Sequence, residues 1–321
     1  MQDLEVSFKS AFWQPAVSVK RPFVRYPNKE ASPGYAWRYS SENNQINLSV
    51  VIPTSDAYRG GYFLKLLSQI GCQDYSNFEL IVVRGDPRQG RAINTGASLA
   101  QGIYLLTLDD DTSLPDTKTF SKLVAVMEVH PEIGIGGGNN IIPSDASPFV
   151  RRVMQQIPRR SWLAVQTITD SDLAEHPCMI MRKNEFEAMG GENELIPRGL
   201  DPYLRQEFRK LGKRVVVVPG VSYHHLPPDS LNKLLKQSFR NGRQAAYVNR
   251  NYPQWVIETP NKHGTFVLRR TLWLRIPRYP LRLISTLVTG RWMWFIYQIF
   301  YASGFVFFWL TNIWKSPTNR G

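Results

Sequence analysis

The stretch Tyr-Leu-Leu-Thr-Leu-Asp-Asp-Asp, residues 104–111, places an apolar run directly before three carboxylates. A short apolar run bounded by Gly102 on one side and by Asp, Thr and Ser on the other is typical of an interior parallel strand. Open α/β sheets bind ligands just beyond the carboxyl ends of such strands. Adjacent carboxylates repel one another unless a cation lies among them. Oxygen ligands suit Mg²⁺ or Mn²⁺, which commonly bind phosphates, so this stretch predicts a metal–diphosphate site.

The same triplet has a second interpretation, as a cap for the helix predicted after it. Pro115 lies between the triplet and that helix, and Asp116 or Thr117 is better placed to cap it. The cap interpretation therefore leaves the triplet unexplained.

Strand and helix patterns alternate from residue 48 onward. We predict strands at 48–52, 78–83, 103–108, 133–136, 178–182 and 214–218, and helices at 62–70, 92–100, 119–129, 184–189 and 202–211. This alternation favours right-handed βαβ units, and therefore an α/β fold with a mostly parallel sheet flanked by helices. Residues 1–46 lack clear periodicity, and we expect an extended N-terminal arm with little structure of its own.

The cysteine content and the N-terminal residues indicate the cellular compartment of the protein. Cys72 and Cys178 both lie in apolar surroundings, which excludes a disulfide framework and fits a reducing compartment. The first residues include Asp3 and Glu5 and form no apolar stretch, so we expect no secretory signal. The catalytic part is expected in the cytoplasm.

The net charge of +13 is concentrated at the C-terminal end. From Ser230 onward there are fourteen Lys or Arg residues and one acidic residue, Glu258, while the preceding two-thirds of the chain is formally neutral. The partner of this positive charge therefore contacts the tail, residues 246–321, and need not be the substrate.

The tail also contains an uncharged, aromatic-rich run at residues 292–314, which as a helix would be about 35 Å long against about 30 Å for a bilayer core. Trp residues near both ends match the aromatic belts of membrane proteins. Arginines interrupt the apolar sequence upstream, as in a segment lying on anionic lipid: Arg269, Arg270, Arg275, Arg278, Arg282 and Arg291. A spanning helix, an interfacial helix and a soluble core helix all remain open, and length slightly favours spanning.

The donor-side motifs resemble those of family-2 glycosyltransferases with the GT-A fold. Residues 49–54 (Ser-Val-Val-Ile-Pro-Thr) resemble the family's opening strand and base-binding turn, and residues 72–83 resemble its second strand. Residues 90–96 (Gly-Arg-Ala-Ile-Asn-Thr-Gly), followed by Asp109-Asp110-Asp111, are similar to the approach to its metal-binding DxD motif.

The acceptor-side motifs follow in the same order as in that family. Cys178–Arg182 and Leu200-Asp201 resemble its acceptor half, and Val221-Ser-Tyr-His224 resembles its late metal-ligand histidine. The resemblance covers residues 47–245, the expected catalytic domain.

This resemblance implies an inverting, metal-dependent transfer from a nucleotide-sugar donor. Asp201 would be the general base, and Asp111, Asp109 and His224 would hold Mg²⁺ or Mn²⁺. The resemblance implies donor contacts from Pro53, Thr54, Asp86, Gly90, Arg91, Asn94, Asp109 and Asp110. Gln237, Arg240 and Arg243, at helical spacing, are candidate acceptor or phosphate contacts.

Some of these roles have competing explanations. Side chains alternate along a strand, so Asp110 should point away from Asp109 and Asp111. His225 is chemically as good a ligand as His224, and only the family pattern favours His224. Asp201, directly before Pro202, also suits a helix N-cap.

The chain departs from the family pattern at three places. Arg84 stands where the family usually has a base-contacting Asp, with Asp86 two residues on, which leaves the nucleotide base open. The family's Glu-Asp pair appears as Leu200-Asp201. The stretch Gln237-Ser-Phe-Arg240-Asn241 lacks the Trp of the QxxRW motif, which argues against processive synthesis.

The sequence therefore predicts a glycosyltransferase attached by its tail to the cytoplasmic face of a membrane, such as the bacterial inner membrane. We expect a lipid-linked or saccharide acceptor and contact with anionic lipids, while a homo-oligomer stays open. The alternative is a degenerate scaffold that binds sugar nucleotides without turnover. A nucleic-acid partner for the basic tail is disfavoured, because the uncharged run fits lipid better.

Overall fold

The structure is a computed structural model and describes residues 3–29, 33–40, 46–257, 260, 263 and 278–313. Its strands are β1 (Gln14–Pro15), β2 (Tyr35–Ser40), β3 (Leu48–Thr54), β4 (Phe78–Arg84), β5 (Tyr104–Thr107), β6 (Thr112–Ser113), β7 (Ile133–Asn140), β8 (Thr169–Asp170), β9 (Met179–Arg182) and β10 (Arg214–His225). Its helices are α1 (Leu4–Lys9), α2 (Tyr62–Gly71), α3 (Gln89–Leu99), α4 (Thr119–Val129), α5 (Pro148–Gln156), α6 (Lys183–Ala188), α7 (Leu200–Lys210), α8 (Leu231–Asn251), α9 (Arg278–Val288) and α10 (Trp292–Asn312).

One mixed sheet organises the domain, with strand order β1-β2-β4-β3-β5-β9-β7-β10-β6 and β8 paired to β10. Strands β4, β3, β5, β7 and β10 all run in one direction, so their carboxyl ends share an edge. The predicted α/β class is confirmed. The sheet is more mixed than expected, because the long segment 141–178 re-enters it as β9, antiparallel to both β5 and β7.

Helices cover both faces of the sheet and bury two apolar clusters. Phe63 of α2 and Phe120 of α4 belong to the cluster on one face, while Ile93 of α3 and Phe208 of α7 belong to the other. Helix α3 approaches β3 closely at Gly96, where a Cβ atom would lie 2.3 Å from Val51 Cγ1. The fit between α3 and the sheet therefore requires glycine at this position.

The N-terminal residues are more ordered than the sequence pattern suggested. Strand β2 pairs with β4 in antiparallel register and extends the sheet. Trp37 of β2 is buried, with its ring centroid 5.6 Å from that of Phe8 in α1. The expectation of an arm with little structure in residues 1–46 is therefore wrong for the described residues. The aromatic residues at alternate positions of Tyr35–Ser40 were the strand signal.

Strand β10 continues beyond its predicted end at residue 218, up to His225. Its pairing with β7 shifts register between Val217 and Ser222, where Gly220 has a φ of +68°. This bulge re-aims the final residues of β10 and decides which of its two histidines faces the carboxyl edge.

Candidate active site

The aspartate triplet lies in a tight turn at the carboxyl end of β5. The turn is closed by the Thr112 N–H, which donates to Asp109 O at 3.0 Å. Asp110 is turned toward β3, where it accepts a hydrogen bond from Thr54 Oγ1 at 2.7 Å. The turn thus separates the triplet, leaving Asp109 and Asp111 on the open side of the edge.

Asp109, Asp111 and His225 form a group able to hold a metal ion. Their ligand atoms all lie within 4.8 Å of one another. His225 Nε2 lies 3.1 Å from Asp111 Oδ1 and 3.9 Å from Asp109 Oδ2. Two carboxylate oxygens and one imidazole nitrogen are a donor set that fits Mn²⁺, and also Mg²⁺ with water completing the shell.

The predicted ligand His224 is not part of this group. Its Nδ1 lies 2.8 Å from the carbonyl oxygen of Ile141, on the other side of the strand. His224 pairs with Ser113 and His225 with Thr112 across β10 and β6, so alternation brings only His225 to the aspartates. His225, and not the predicted His224, therefore belongs to this candidate metal-binding group.

Arg59 is a cation at this edge that the sequence reasoning missed. Its Nη2 donates to Asp111 Oδ2 at 2.8 Å, and its Nε lies 3.6 Å from Asp110 Oδ1. Its side chain is 51% exposed, on a turn where Gly60 and Gly61 have positive φ. The Gly60-Gly61 pair next to an arginine was the available signal for a loop able to present a charge to a phosphate.

The two metal-facing aspartates have opposite electrostatic surroundings. Burial raises the pKa of Asp109 to about 7, because the attraction of His225 only partly offsets desolvation and the repulsion of Asp111. The pKa of Asp111 is also pushed up by burial, but hydrogen bonds and charge from His225 and Arg59 hold it well below its usual range. Burial opposes a charged His225, yet Asp111 and Asp109 raise the pKa of its imidazole.

Asp201 lies in the first turn of α7, whose N-cap is Gly199. The helix-cap explanation for Asp201 is therefore wrong. Its Oδ1 accepts the backbone N–H of His176 at 2.8 Å, and its side chain remains 31% exposed. Burial would raise the pKa of this carboxyl, but His176 and Arg205 outweigh burial and hold the pKa below its ordinary value. An ionised, partly open carboxylate is the state that a general base requires.

The predicted donor-binding residues of the Asp86–Asn94 segment make contacts within the protein. Arg91 Nε donates to Asp86 Oδ2 at 2.8 Å, and both side chains are almost completely enclosed. Asn94 Nδ2 donates to the carbonyl oxygen of Glu192 at 3.0 Å. Gly90 packs against the same turn, where a Cβ would lie 3.2 Å from Glu192 Cβ. In this structure these side chains support the site and offer no free group to a donor.

Pro53 and Thr54 remain at the carboxyl end of β3, next to the triplet. Pro53 is half-buried. The Thr54 hydroxyl donates to Asp110 and accepts the backbone N–H of Ala57 at 3.0 Å. Gln89, which was not predicted, donates through Nε2 to Asp109 Oδ1 at 2.9 Å. Arg84, the departure from the family pattern, is exposed.

The three candidate acceptor residues lie on α8 at different degrees of exposure. Gln237 Oε1 accepts a hydrogen bond from Arg160 Nη2 at 2.7 Å. The charge of Arg160 opposes protonation of His225. Arg240 and Arg243 are exposed, and Arg243 lies 5.5 Å from the ring centroid of Phe307.

Comparison with known proteins identifies the domain. Residues 73–187 match the family model Glycosyl transferase family 2. This segment, about a third of the chain, is therefore similar to Glycosyl transferase family 2. The match covers β4, the aspartate triplet and β9, and ends before Asp201 and His225. No curated protein matches the chain by sequence.

Solved structures resemble this chain in fold. The mannosyltransferase PcManGT from Pyrobaculum calidifontis, in complex with GDP-Man and Mn²⁺, aligns over 93% of each chain with a TM-score of 0.53 and 15% identity. S. aureus TarS 1-349, in complex with UDP-GlcNAc, aligns over 64% of this chain and 67% of that chain, with a TM-score of 0.44 and 14% identity. The first likeness agrees with the GT-A fold, and the second is too slight to add to it.

Proposed function

We propose that this glycosyltransferase transfers a sugar from a nucleotide-sugar donor to a hydroxyl of a lipid-linked or membrane-proximal saccharide acceptor, with inversion. The observation that carries the proposal is the convergence of Asp109, Asp111 and His225 at the carboxyl edge of the sheet, with the ionised Asp201 on the adjoining helix. A cation site and a base are the two groups that this reaction needs.

The residues divide the chemistry between them. Asp109, Asp111 and His225 would hold Mg²⁺ or Mn²⁺, which supplies a Lewis acid for the donor diphosphate when bound. Arg59 is placed to add a second positive charge beside the same phosphates. Asp201 accepts the proton of the acceptor hydroxyl as its oxygen bonds to the anomeric carbon. The bond from that carbon to the phosphate oxygen breaks, and the nucleoside diphosphate leaves with the electron pair.

The alternative of a degenerate scaffold has less support. A protein that only bound sugar nucleotides would not need an ionised carboxylate oriented by a backbone N–H, as Asp201 is. The base of the nucleotide stays open, because the exposed Arg84 replaces the expected Asp.

Attachment to a membrane through the tail is supported by an exposed apolar surface. Among the described residues, α10 is the one helix that is long and apolar enough to cross a bilayer, by length and composition. The large apolar side chains of α10 that are exposed are Trp292, Ile299, Phe300, Val306, Phe307, Trp309 and Leu310. Helix α9 adds Leu281, Ile284, Leu287 and Val288. Such a surface on a basic segment suits anionic lipid. The six upstream arginines fall partly outside the described residues, as does Trp314.

The packing of α10 favours a position in the plane of the membrane over a spanning one. Helices α8 and α10 run side by side, from the hydrogen bond of Ser238 Oγ to Tyr297 O at 2.6 Å to that of Arg250 Nη1 to Asn312 O at 2.6 Å. Their backbones nearly touch, since a Cβ at Gly304 would lie 2.0 Å from Phe239 O.

Because of this packing, α10 cannot enter the bilayer without α8, which carries several arginines. Spanning would carry Arg240, Arg243 and Arg250 of α8 into hydrocarbon, at about 2.5–3.5 kcal/mol for each arginine near the bilayer centre. An interfacial helix avoids this cost, because the arginines then reach lipid headgroups while the apolar face of α10 enters the acyl region. We therefore place the cytoplasmic catalytic domain against the membrane surface, where Arg240 and Arg243 can contact an acceptor phosphate.

The proposal is tested with purified full-length protein, Mn²⁺, a panel of GDP- and UDP-sugars and a membrane lipid extract. Mass spectrometry should detect a glycosylated lipid or saccharide with one donor, and chelation of the metal should abolish it. Donor binding without transfer or hydrolysis for every member of the panel would favour the scaffold.

A further inference from the structure

His176 lies between the end of β5 and the start of α7. It begins the 3₁₀ turn His176–Cys178 before β9, and only 3% of its surface is exposed. Its Nδ1 lies 3.2 Å from Thr107 Oγ1. Its Nε2 lies 3.0 Å from Glu192 Oε1 and 4.0 Å from Asp201 Oδ1. The imidazole ring therefore lies beside two carboxylates, those of Glu192 and Asp201.

The neighbours of the ring determine its charge. Thr107 Oγ1 lies 3.2 Å from Nδ1 of His176 and 3.3 Å from Met179 O, and a hydroxyl that donates to Met179 O accepts from Nδ1–H. On the other side, Nε2 faces carboxylate oxygens, which accept when ionised. An imidazolium, with a proton on each nitrogen, suits both sides of the ring. Burial lowers the pKa of His176, but the charges of Asp201 and Glu192 outweigh it and raise the pKa to about 9.

Glu192 is fully buried, and its backbone is hydrogen-bonded to Asn94 of α3. The Glu192 N–H donates to Asn94 Oδ1 at 2.8 Å, and Asn94 Nδ2 donates to the carbonyl oxygen of Glu192. Among the described residues, neither carboxylate oxygen of Glu192 accepts a hydrogen bond, and the His176 ring is the charge partner next to them, with Nε2 3.0 Å from Oε1. Burial raises the pKa of Glu192, and a charge on His176 opposes that rise. Glu192 is therefore best ionised when His176 is a cation beside it.

We propose that His176 and Glu192 are positioning residues for Asp201: Glu192 keeps the imidazole of His176 charged, and His176 fixes and ionises the carboxylate of Asp201. Leu200 stands directly before Asp201, where a second acidic residue was expected, and Glu192 brings a carboxylate into the same cluster from a different turn. This inference rests on Asp201 being the general base of the proposed function.

Other charges face the same groups and limit the expected effect. Arg205 and Arg159 also lower the pKa of Asp201, and Asp109 adds to the field that favours a charged His176. Removing the charge of His176 should therefore raise the pKa of Asp201 only in part. The acidic limb of the rate profile then moves to higher pH, while an uncharged structural role would lower activity equally at all pH values.

The experiment compares His176→Gln with His130→Gln, a matched change at a partly exposed histidine that lies 3.1 Å from Glu132. Transfer kinetics are followed from pH 4 to 9 with Mn²⁺ saturating at each pH. His176→Gln should move the acidic limb up by about one pH unit, so that the loss in kcat is several-fold larger at pH 4 than at pH 7, with donor KM changed less than threefold. Glu192→Gln should lower kcat mainly above neutral pH, where His176 would lose its proton early. His130→Gln should change neither.

A second measurement does not depend on the folding of a variant. In ¹⁵N-histidine-labelled wild-type protein, His176 should remain doubly protonated at pH 7.5 by its ring nitrogen shifts, assigned by loss of the signal in any soluble variant at position 176. A neutral His176 at that pH, or an unmoved acidic limb in His176→Gln, would overturn the inference. Full transfer activity of Asp201→Asn would instead overturn the proposed base, and the charge of His176 beside Glu192 would then be a separate finding.

Discussion

His225 Nε2 lies 3.1 Å from Asp111 Oδ1, across the antiparallel pairing of β10 with β6. This contact selects His225 over His224 as the third member of the metal-facing group. We expect His225→Ala to weaken Mn²⁺ binding by tenfold or more, because one of three protein ligands is lost. His224→Ala, the matched neighbour, should stay within threefold. Titration calorimetry with Mn²⁺ measures both, and a larger loss for His224→Ala would restore the original assignment.

The aspartates provide a similar matched pair. Asp111→Asn should weaken Mn²⁺ binding far more than Asp110→Asn, because Asp110 already accepts its hydrogen bond from Thr54 and is turned toward β3. The same calorimetric titration applies. Equal or reversed losses would count against Asp111 as the metal ligand.

Metal binding should strengthen with rising pH. The metal-free pKa of Asp109 is raised to about 7 and that of His225 is raised as well, so both groups hold protons near neutrality that a metal must displace. Mn²⁺ affinity should therefore be at least about tenfold higher at pH 8 than at pH 6. Calorimetry in two buffers of different ionisation enthalpy should show proton release, and pH-independent affinity without release would contradict these protonation states.

Close packing of α8 against α10 makes Gly304 sensitive to substitution. Gly304→Ala would place a Cβ 2.0 Å from Phe239 O, so the helices must separate. We expect a loss of about 1–3 kcal/mol of stability, measured by denaturant unfolding. Ser303→Ala, at the exposed neighbouring position, should change stability little, and equal effects would show that the helices do not meet as described.

The exposed apolar face of α10 should carry membrane binding. Leu310→Glu, at a side chain with 67% exposure, should reduce binding to anionic lipid vesicles several-fold, because a carboxylate resists the acyl region and repels anionic headgroups. Val129→Glu, at an exposed apolar residue of α4, should have no effect. Cosedimentation with vesicles measures both.

Extraction from membranes distinguishes an interfacial tail from a spanning one. A tail lying in the interface should be released from membranes by carbonate with high salt. Retention of the full-length protein after that treatment would instead indicate a spanning helix, and full solubility at low salt would contradict both modes.

The strands around the triplet were predictable from sequence because each is a short apolar run ending in turn residues. Helix α4 was placed at its observed bounds for the same reason, its apolar positions repeating at helical spacing. Strand β2 was missed since its pairing with β4 joins distant segments, and short aromatic alternation alone is a weak signal. The strand β9 was predicted, but its antiparallel direction was not, because that direction depends on how the segment 141–178 returns to the sheet.

The site was predictable only in part. Asp109 and Asp111 follow from strand alternation, whereas the choice of His225 depends on the β10 bulge near Gly220, which no local pattern announces. Asp86 and Arg91 were expected to face a donor, but each satisfies the other's charge. His176 and Glu192 were not singled out, because a buried charge pair is defined by contacts between segments far apart in the chain.

The most direct test of the account is the effect of Asp201→Asn on transfer and on donor binding, measured in the same preparation with Mn²⁺ present. A base acts only as the hydroxyl attacks, so product formation should fall by at least 1,000-fold while donor affinity stays within about threefold. A folded Asp201→Asn variant that retains most of its transfer activity would contradict the account.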